Sequence, residues 1–113
     1  MINGLHALIL IVKDLKRQKA FYRDVLGLKV EADYGDAVFF ECGDQKIALF
    51  DRDHHPEGTE SLEGAPKGIS HMEFRIPKSN RKEFDARLRK AGFHAYRNCY
   101  RDADGNLFHF VFE

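Results

Sequence analysis

A chain of 113 residues with 43% hydrophobic and 32% charged side chains fits one globular domain with a modest core, and excludes a disordered or fibrous protein. Lys and Arg number 18, as do Asp and Glu, so the balance argues against a nucleic-acid groove or an anionic membrane as main partner. Two cysteines, Cys42 and Cys99, are too few for a secreted disulfide framework and read as buried thiols.

Residues 5–12 are apolar and rich in branched side chains, the pattern of a buried strand. The longest apolar run, residues 7–12, cannot span a bilayer, and no charged leader precedes it, so a cytoplasmic address is expected. Asp14 offers a helix N-cap, Leu15, Phe21, Val25 and Leu26 recur at helical spacing, and Gly27 ends the helix. Strands are predicted over 28–34, 37–42 and 46–50, separated by the Gly-Asp turns at 35–36 and 43–44. Residues 51–68, rich in Gly, Pro and mixed charge, read as a linker.

The pattern then begins again. Residues 69–76 form a strand stopped by Pro77, and Asn80 with Glu83 spells a capping box for a helix carrying Phe84, Leu88 and Ala91. Gly92 closes that helix as Gly27 closes the first. Strands are predicted over 93–96, 98–101 and 106–112, with Asp104–Gly105 turning into the last. Ala7 falls on His71, Val12 on Ile76, Gly27 on Gly92 and Ala48 on His109. The expected fold is therefore α+β: a single domain over 1–113 made of two tandem βαβββ units, about 4–50 and 69–113. Together they would form a curved mixed sheet around a cleft, with helices on the outer face.

Strand alternation assigns the faces. Met72, Phe74 and Ile76 share one face with the helix, as do Phe108, Phe110 and Phe112. His71, Glu73, Arg75 and His109 then point into the hollow of the sheet. In the first unit Ala7, Ile9, Ile11, Ala48 and Phe50 make the matching face an apolar wall. One greasy side and one charged side suit a small amphipathic organic ligand.

Several stretches resemble a known family. The segment IVKDLKRQKAFYRDVLGLKV resembles the opening strand–helix–strand of the vicinal oxygen chelate superfamily, GISHMEFRIP its second-unit opening strand, and RDADGNLFHFVF its closing hairpin. That superfamily includes glyoxalase I, fosfomycin-resistance thiol transferases, extradiol dioxygenases, methylmalonyl-CoA epimerase and bleomycin-binding resistance proteins. The resemblance implies a homodimer and up to four metal-ligand positions, usually His or Glu, on the first and last strands of each unit. Here they are Ala7, Ala48, His71 and His109, so two are retained and two are alanines. The family's first-strand histidine lies seven residues before the capping Asp, which is Ala7 here; His6 would point the other way.

His71 and His109 are thus the candidate metal ligands, and with Glu73 the candidate catalytic groups. Glu73 completes a two-His, one-carboxylate set only if its side chain bends back, since same-face neighbours on a strand are about 6–7 Å apart. Without metal, a histidine paired with Glu73 suits general acid–base chemistry. Arg75 either pairs internally with Glu73 or anchors a ligand carboxylate or phosphate. Ile9, Ile11, Phe50, Tyr96 and Tyr100 are the remaining candidate ligand-binding residues, with Arg97 near the same rim. The His54–His55 pair reads as solvated loop, the basic helix faces as solvated, and no motif pairs either cysteine with a base.

Two classes of function follow. One is a metal-assisted or metal-free lyase, isomerase or dioxygenase acting on a small oxygenated substrate. The other is a bleomycin-resistance type of protein that sequesters its ligand without chemistry. The cofactor is accordingly none or a divalent ion (Fe, Mn, Ni or Zn), and the partners are a small molecule and a second subunit.

Overall fold

Strand β1 (Ala7–Val12) begins the first unit of the computed structural model, which describes residues 5–55, 71–95 and 99–113. The chain divides into two compact units, residues 1–67 and 68–113. After β1, the Asp14 carboxylate accepts from the Arg17 backbone N–H at 3.1 Å and caps α1 (Leu15–Ala20). The helix then widens into a π turn over Phe21–Val25, where the Leu26 N–H donates to the Phe21 carbonyl at 3.0 Å. An unbroken α-helix to Gly27 was expected. The wider turn brings Leu26 below Phe21, five residues earlier, so that Phe21, Tyr22 and Leu26 are all buried. Gly27, at φ 77°, lets the Leu28 N–H reach back to the Tyr22 carbonyl at 2.9 Å.

Strands β2 (Lys29–Asp33), β3 (Ala37–Cys42) and β4 (Gln45–Asp51) complete a four-stranded sheet in the order β1-β4-β3-β2. Only β1 and β4 run parallel, and a bulge lies between Val30 and Ala32 in β2. Val12, Val38, Phe40, Ile47 and Leu49 are buried on one face, where the Tyr22 ring lies 6.1 Å from that of Phe40. The opposite face carries Ile9, Ala48 and Phe39 in one paired row and Ile11, Phe50 and Ala37 in the next.

The second unit starts with β5 (Met72–Ile76), which Pro77 ends. A 3₁₀ turn over Lys78–Asn80 leads into α2 (Arg81–Lys90). The expected capping box does not form. Asn80 sits in the helical region at φ −94° and ψ 0°, and its Nδ2 donates to Glu83 Oε2 at 3.3 Å instead of its side chain capping the backbone. The 3₁₀ turn has already begun the helical winding there, so the position is no longer a helix boundary. Gly92, at φ 91°, closes α2 as Gly27 closes its counterpart.

No strand forms at Phe93–Ala95, which are irregular, and Tyr96 and Arg97 lie outside the described residues. Strand β6 is short (Tyr100–Arg101), and β7 (Leu107–Phe112) pairs with it antiparallel and with β5 parallel, giving the order β5-β7-β6. The hairpin between β6 and β7 is built around the buried Asp102. Its carboxylate accepts from the Asp104 and Asn106 N–H groups and from Asn106 Nδ2, at 2.8–2.9 Å. An α+β fold of two related units is the architecture the sequence leads one to expect. No helix among the described residues is long and apolar enough to cross a membrane.

Tyr100 belongs to the helix-side core. It is 8% exposed, its ring stacks on Phe108 with centroids 5.6 Å apart, and its hydroxyl donates to Asp85 Oδ1 on α2 at 2.8 Å. Burial first, and then the bond to Asp85, push its phenol up to about 12. Raised above its unfolded value, this group contributes stability that is complete below pH ~10 and is lost as pH rises through about 12. In a phenolate absorbance titration Tyr100 should ionise last. Tyr100→Phe should delete that late step and cost about 1 kcal/mol in urea unfolding, because Asp85 keeps Arg89 at 2.7 Å.

Candidate metal and ligand site

The site follows from the register of two parallel strands. Glu73 on β5 lies directly opposite His109 on β7, and His71 precedes β5 by one residue on the same face. The first unit repeats this register, with Ile9 on β1 opposite Ala48 on β4. The alignment of Ala7 with His71 and Ala48 with His109 therefore has a structural counterpart in the pairing of each sheet.

Glu73 does bend toward the histidines. Its Oε2 lies 2.8 Å from His71 Nε2 and 2.9 Å from His109 Nε2, and the two imidazole rings are 4.5 Å apart. One carboxylate oxygen is thus shared by two ring nitrogens, each donating when it carries the proton. The side chains of His71 and His109 are about 30% exposed and that of Glu73 50%. The bond to His71 first, and that to His109 second, hold the Glu73 carboxyl below the usual carboxylate range.

This donor set fits a divalent ion. Two imidazole nitrogens and one carboxylate oxygen lie within 4.8 Å of one another, the only such group of three among the described residues. Ligands bound at ~2.0–2.2 Å sit about 3 Å apart around an ion, close to the two spacings from Glu73 Oε2. Imidazole with carboxylate suits Zn, Fe, Ni or Mn better than Mg or Ca.

Of the two roles open to Arg75, the internal pair with Glu73 does not form. Glu73 is engaged by the histidines, so the guanidinium turns to Glu113 at 3.8 Å, with its side chain 76% exposed. It stays on the triad's face, opposite Val111. Tyr100 does not join that face, because its pairing with Phe108 turns it toward α2. Tyr96, the other aromatic expected at the rim, lies outside the described residues. A hollow of about 520 Å³ in this unit borders Arg81, Asp85, Tyr100, Phe110 and His109, but neither His71 nor Glu73 lines it. A cavity without those groups does not locate the chemistry; the convergence of the three donors does.

In the first unit Ile9, Ile11 and Phe50 share the apolar face as expected, and Ile9 is 50% exposed. The face is more aromatic than the sequence reading allowed. Phe39 lies 5.8 Å from Phe50 and Tyr34 5.9 Å from Phe39. His55 is not a solvated loop residue. Its ring lies 4.6 Å from Phe50 and its Nε2 3.5 Å from Asp36. Phe39 was readable as the β3 residue opposite Ala48, whereas nothing in the linker composition marked His55. Cys42 and Cys99, expected as buried thiols, form no disulfide and are of intermediate burial.

The topology of the two units is that of a known class of protein. The glyoxalase-like domain family matches residues 5–96, and this chain belongs to that family, within the vicinal oxygen chelate superfamily. It is 23% identical over 111 residues to the glutathione transferase FosA of Serratia marcescens, covering 98% of this chain and 74% of that protein. The fosfomycin resistance protein FosX of Listeria monocytogenes superposes with TM-score 0.77 at 22% identity, over 100% of this chain and 93% of that one. A point variant of that FosX, solved with Mn(II) and 1S,2S-dihydroxypropylphosphonic acid, gives 0.71 at 22% identity, over 97% and 90% of the two chains. Lactoylglutathione lyase from Agrobacterium tumefaciens gives 0.63 at 27% identity, over 97% and 93%.

Proposed function

We propose that this protein is an enzyme that binds a small oxygenated organic molecule at the face formed by His71, Glu73 and His109 and acts on it with a divalent metal. The observation that carries this reading is the meeting of two imidazole nitrogens and one carboxylate oxygen at a single point on a half-exposed sheet face. Similarity to FosA, to a FosX solved with Mn(II) and a phosphonate, and to a lactoylglutathione lyase supports the same class of ligand.

His71 and His109 would hold the ion, which when bound supplies a Lewis acid for a ligand oxygen. Without the ion, Glu73 is ionised and accepts from both imidazoles; it is the carboxylate available to the ion or to a proton of a bound ligand. Arg75, two residues along the same face and only loosely tied to Glu113, suits an anionic end of that ligand. Ile9, Ile11 and Phe50 form an apolar face of the first unit by themselves. The working protein is a homodimer in the cytoplasm under this reading.

A second reading is a ligand-sequestering protein without chemistry. It is favoured by the alanines at 7 and 48, which leave two of the four family ligand positions without a donor. Elemental analysis of untagged protein purified without chelators or added metals separates the two. About one equivalent of Fe, Mn, Ni or Zn per chain is expected. A metal-free protein that also takes up none of these ions would defeat the metal-assisted reading and leave sequestration.

A further inference from the structure

We infer that Glu73 is the third protein ligand of the ion, so that the metal site is completed within the second unit alone, by β5 and β7 and the residue just ahead of β5. The inference rests on the reading above, in which His71 and His109 take a metal. It departs from the two-unit ligand set that the resemblance implies, because all three of these donors lie in the second unit.

The argument turns on which nitrogens meet. A carboxylate that merely orients a metal-binding histidine contacts the ring nitrogen that the metal does not use. Here the Nε2 atoms of both rings converge, and Glu73 Oε2 stands at their point of convergence, 2.8 Å from one and 2.9 Å from the other. For Glu73 to be only an outer partner, both rings would have to coordinate through Nδ1, away from where they meet. The shared face, the direct Glu73–His109 register and the 4.8 Å limit on all donor spacings place the three groups as one set.

The first unit differs at the matching positions of its own strands. Its registered counterparts of Glu73 and His109 are Ile9 and Ala48, and its counterpart of His71 is Ala7. None of the three carries a donor. A site with three protein donors is also what an ion needs if it is to keep positions open for ligand oxygens. A family ligand set halved by substitution is thereby restored from a residue outside it.

Titration of the full-length, metal-stripped protein with Co(II), followed by its visible absorption and by calorimetry, tests this. The wild type should bind one Co(II) per chain, and Glu73→Gln should weaken binding at least about 100-fold and shift the absorption spectrum. Glu73→Gln replaces one atom of a half-exposed side chain, and an unchanged circular dichroism melt certifies its fold. Wild-type affinity and spectrum in Glu73→Gln, with binding lost in His71→Ala, would overturn this inference and spare the metal-assisted reading. Failure of the wild type to bind Co(II), Zn(II), Ni(II) or Mn(II) would overturn both.

Discussion

Phe108→Ala is expected to lower stability by about 3–5 kcal/mol, measured by urea unfolding monitored by circular dichroism. Phe108 is fully buried, with Phe74, Tyr100 and Phe110 rings all within 5.8 Å of its centroid. It joins β5, β6 and β7 in one row, since it is registered with both Met72 and Tyr100. Its removal leaves a cavity that neighbours on three short strands cannot fill without giving up their own pairing. A loss of that size is a large share of the ~5–15 kcal/mol that holds a small domain together. A cost below about 1.5 kcal/mol would mean that this row is not the core of the second unit.

The second large effect is functional. His71→Ala and His109→Ala should each reduce divalent-metal affinity at least about 100-fold, read by calorimetry, while stability changes by under ~1 kcal/mol. The two effects separate because both histidines are partly exposed on the face away from α2. The Glu73 carboxyl, read by NMR, should rise toward its ordinary range in both variants, and further in His71→Ala, since His71 is the larger cause of its depression. The sign is fixed by that depression. The interaction helps the fold at pH above the ordinary carboxylate value and fades as pH falls through the lower folded one. Equal metal affinity in wild type and both variants would leave the histidines with no role at an ion.

Much of the fold was legible because its signals are local. Asp14 caps, Gly27 and Gly92 terminate, and the alternation along 72–76 and 107–112 assigned each face. The π turn was not legible. It arises from burying Phe21, Tyr22 and Leu26 together against a sheet, a tertiary demand that helical spacing does not show. The irregular path at Phe93–Ala95 was missed for a similar reason, because a short apolar run has no strand identity without a neighbour.

At the site, His71 and His109 followed from the repeat and Glu73 from strand parity. What parity could not supply was rotamer. Glu73 turns to the histidines and not to Arg75 because two imidazole donors converge on it, one from just ahead of its own strand and one from the neighbouring strand. That convergence leaves Arg75 with Glu113, a partner distant in sequence.

The parallel pairing of β5 with β7 also sets the order of events in folding. Glu73 and His109 are separated by roughly 35 residues of chain, including all of α2, and closing that loop costs entropy before any contact rewards it. The triad therefore assembles with the non-local strand pairing and not with the helix or the hairpin that form beside it. An ion that recognises only the assembled triad would act as a reversible crosslink across that loop. It would slow unfolding of the second unit more than it speeds folding, and would make the unit's lifetime depend on metal concentration.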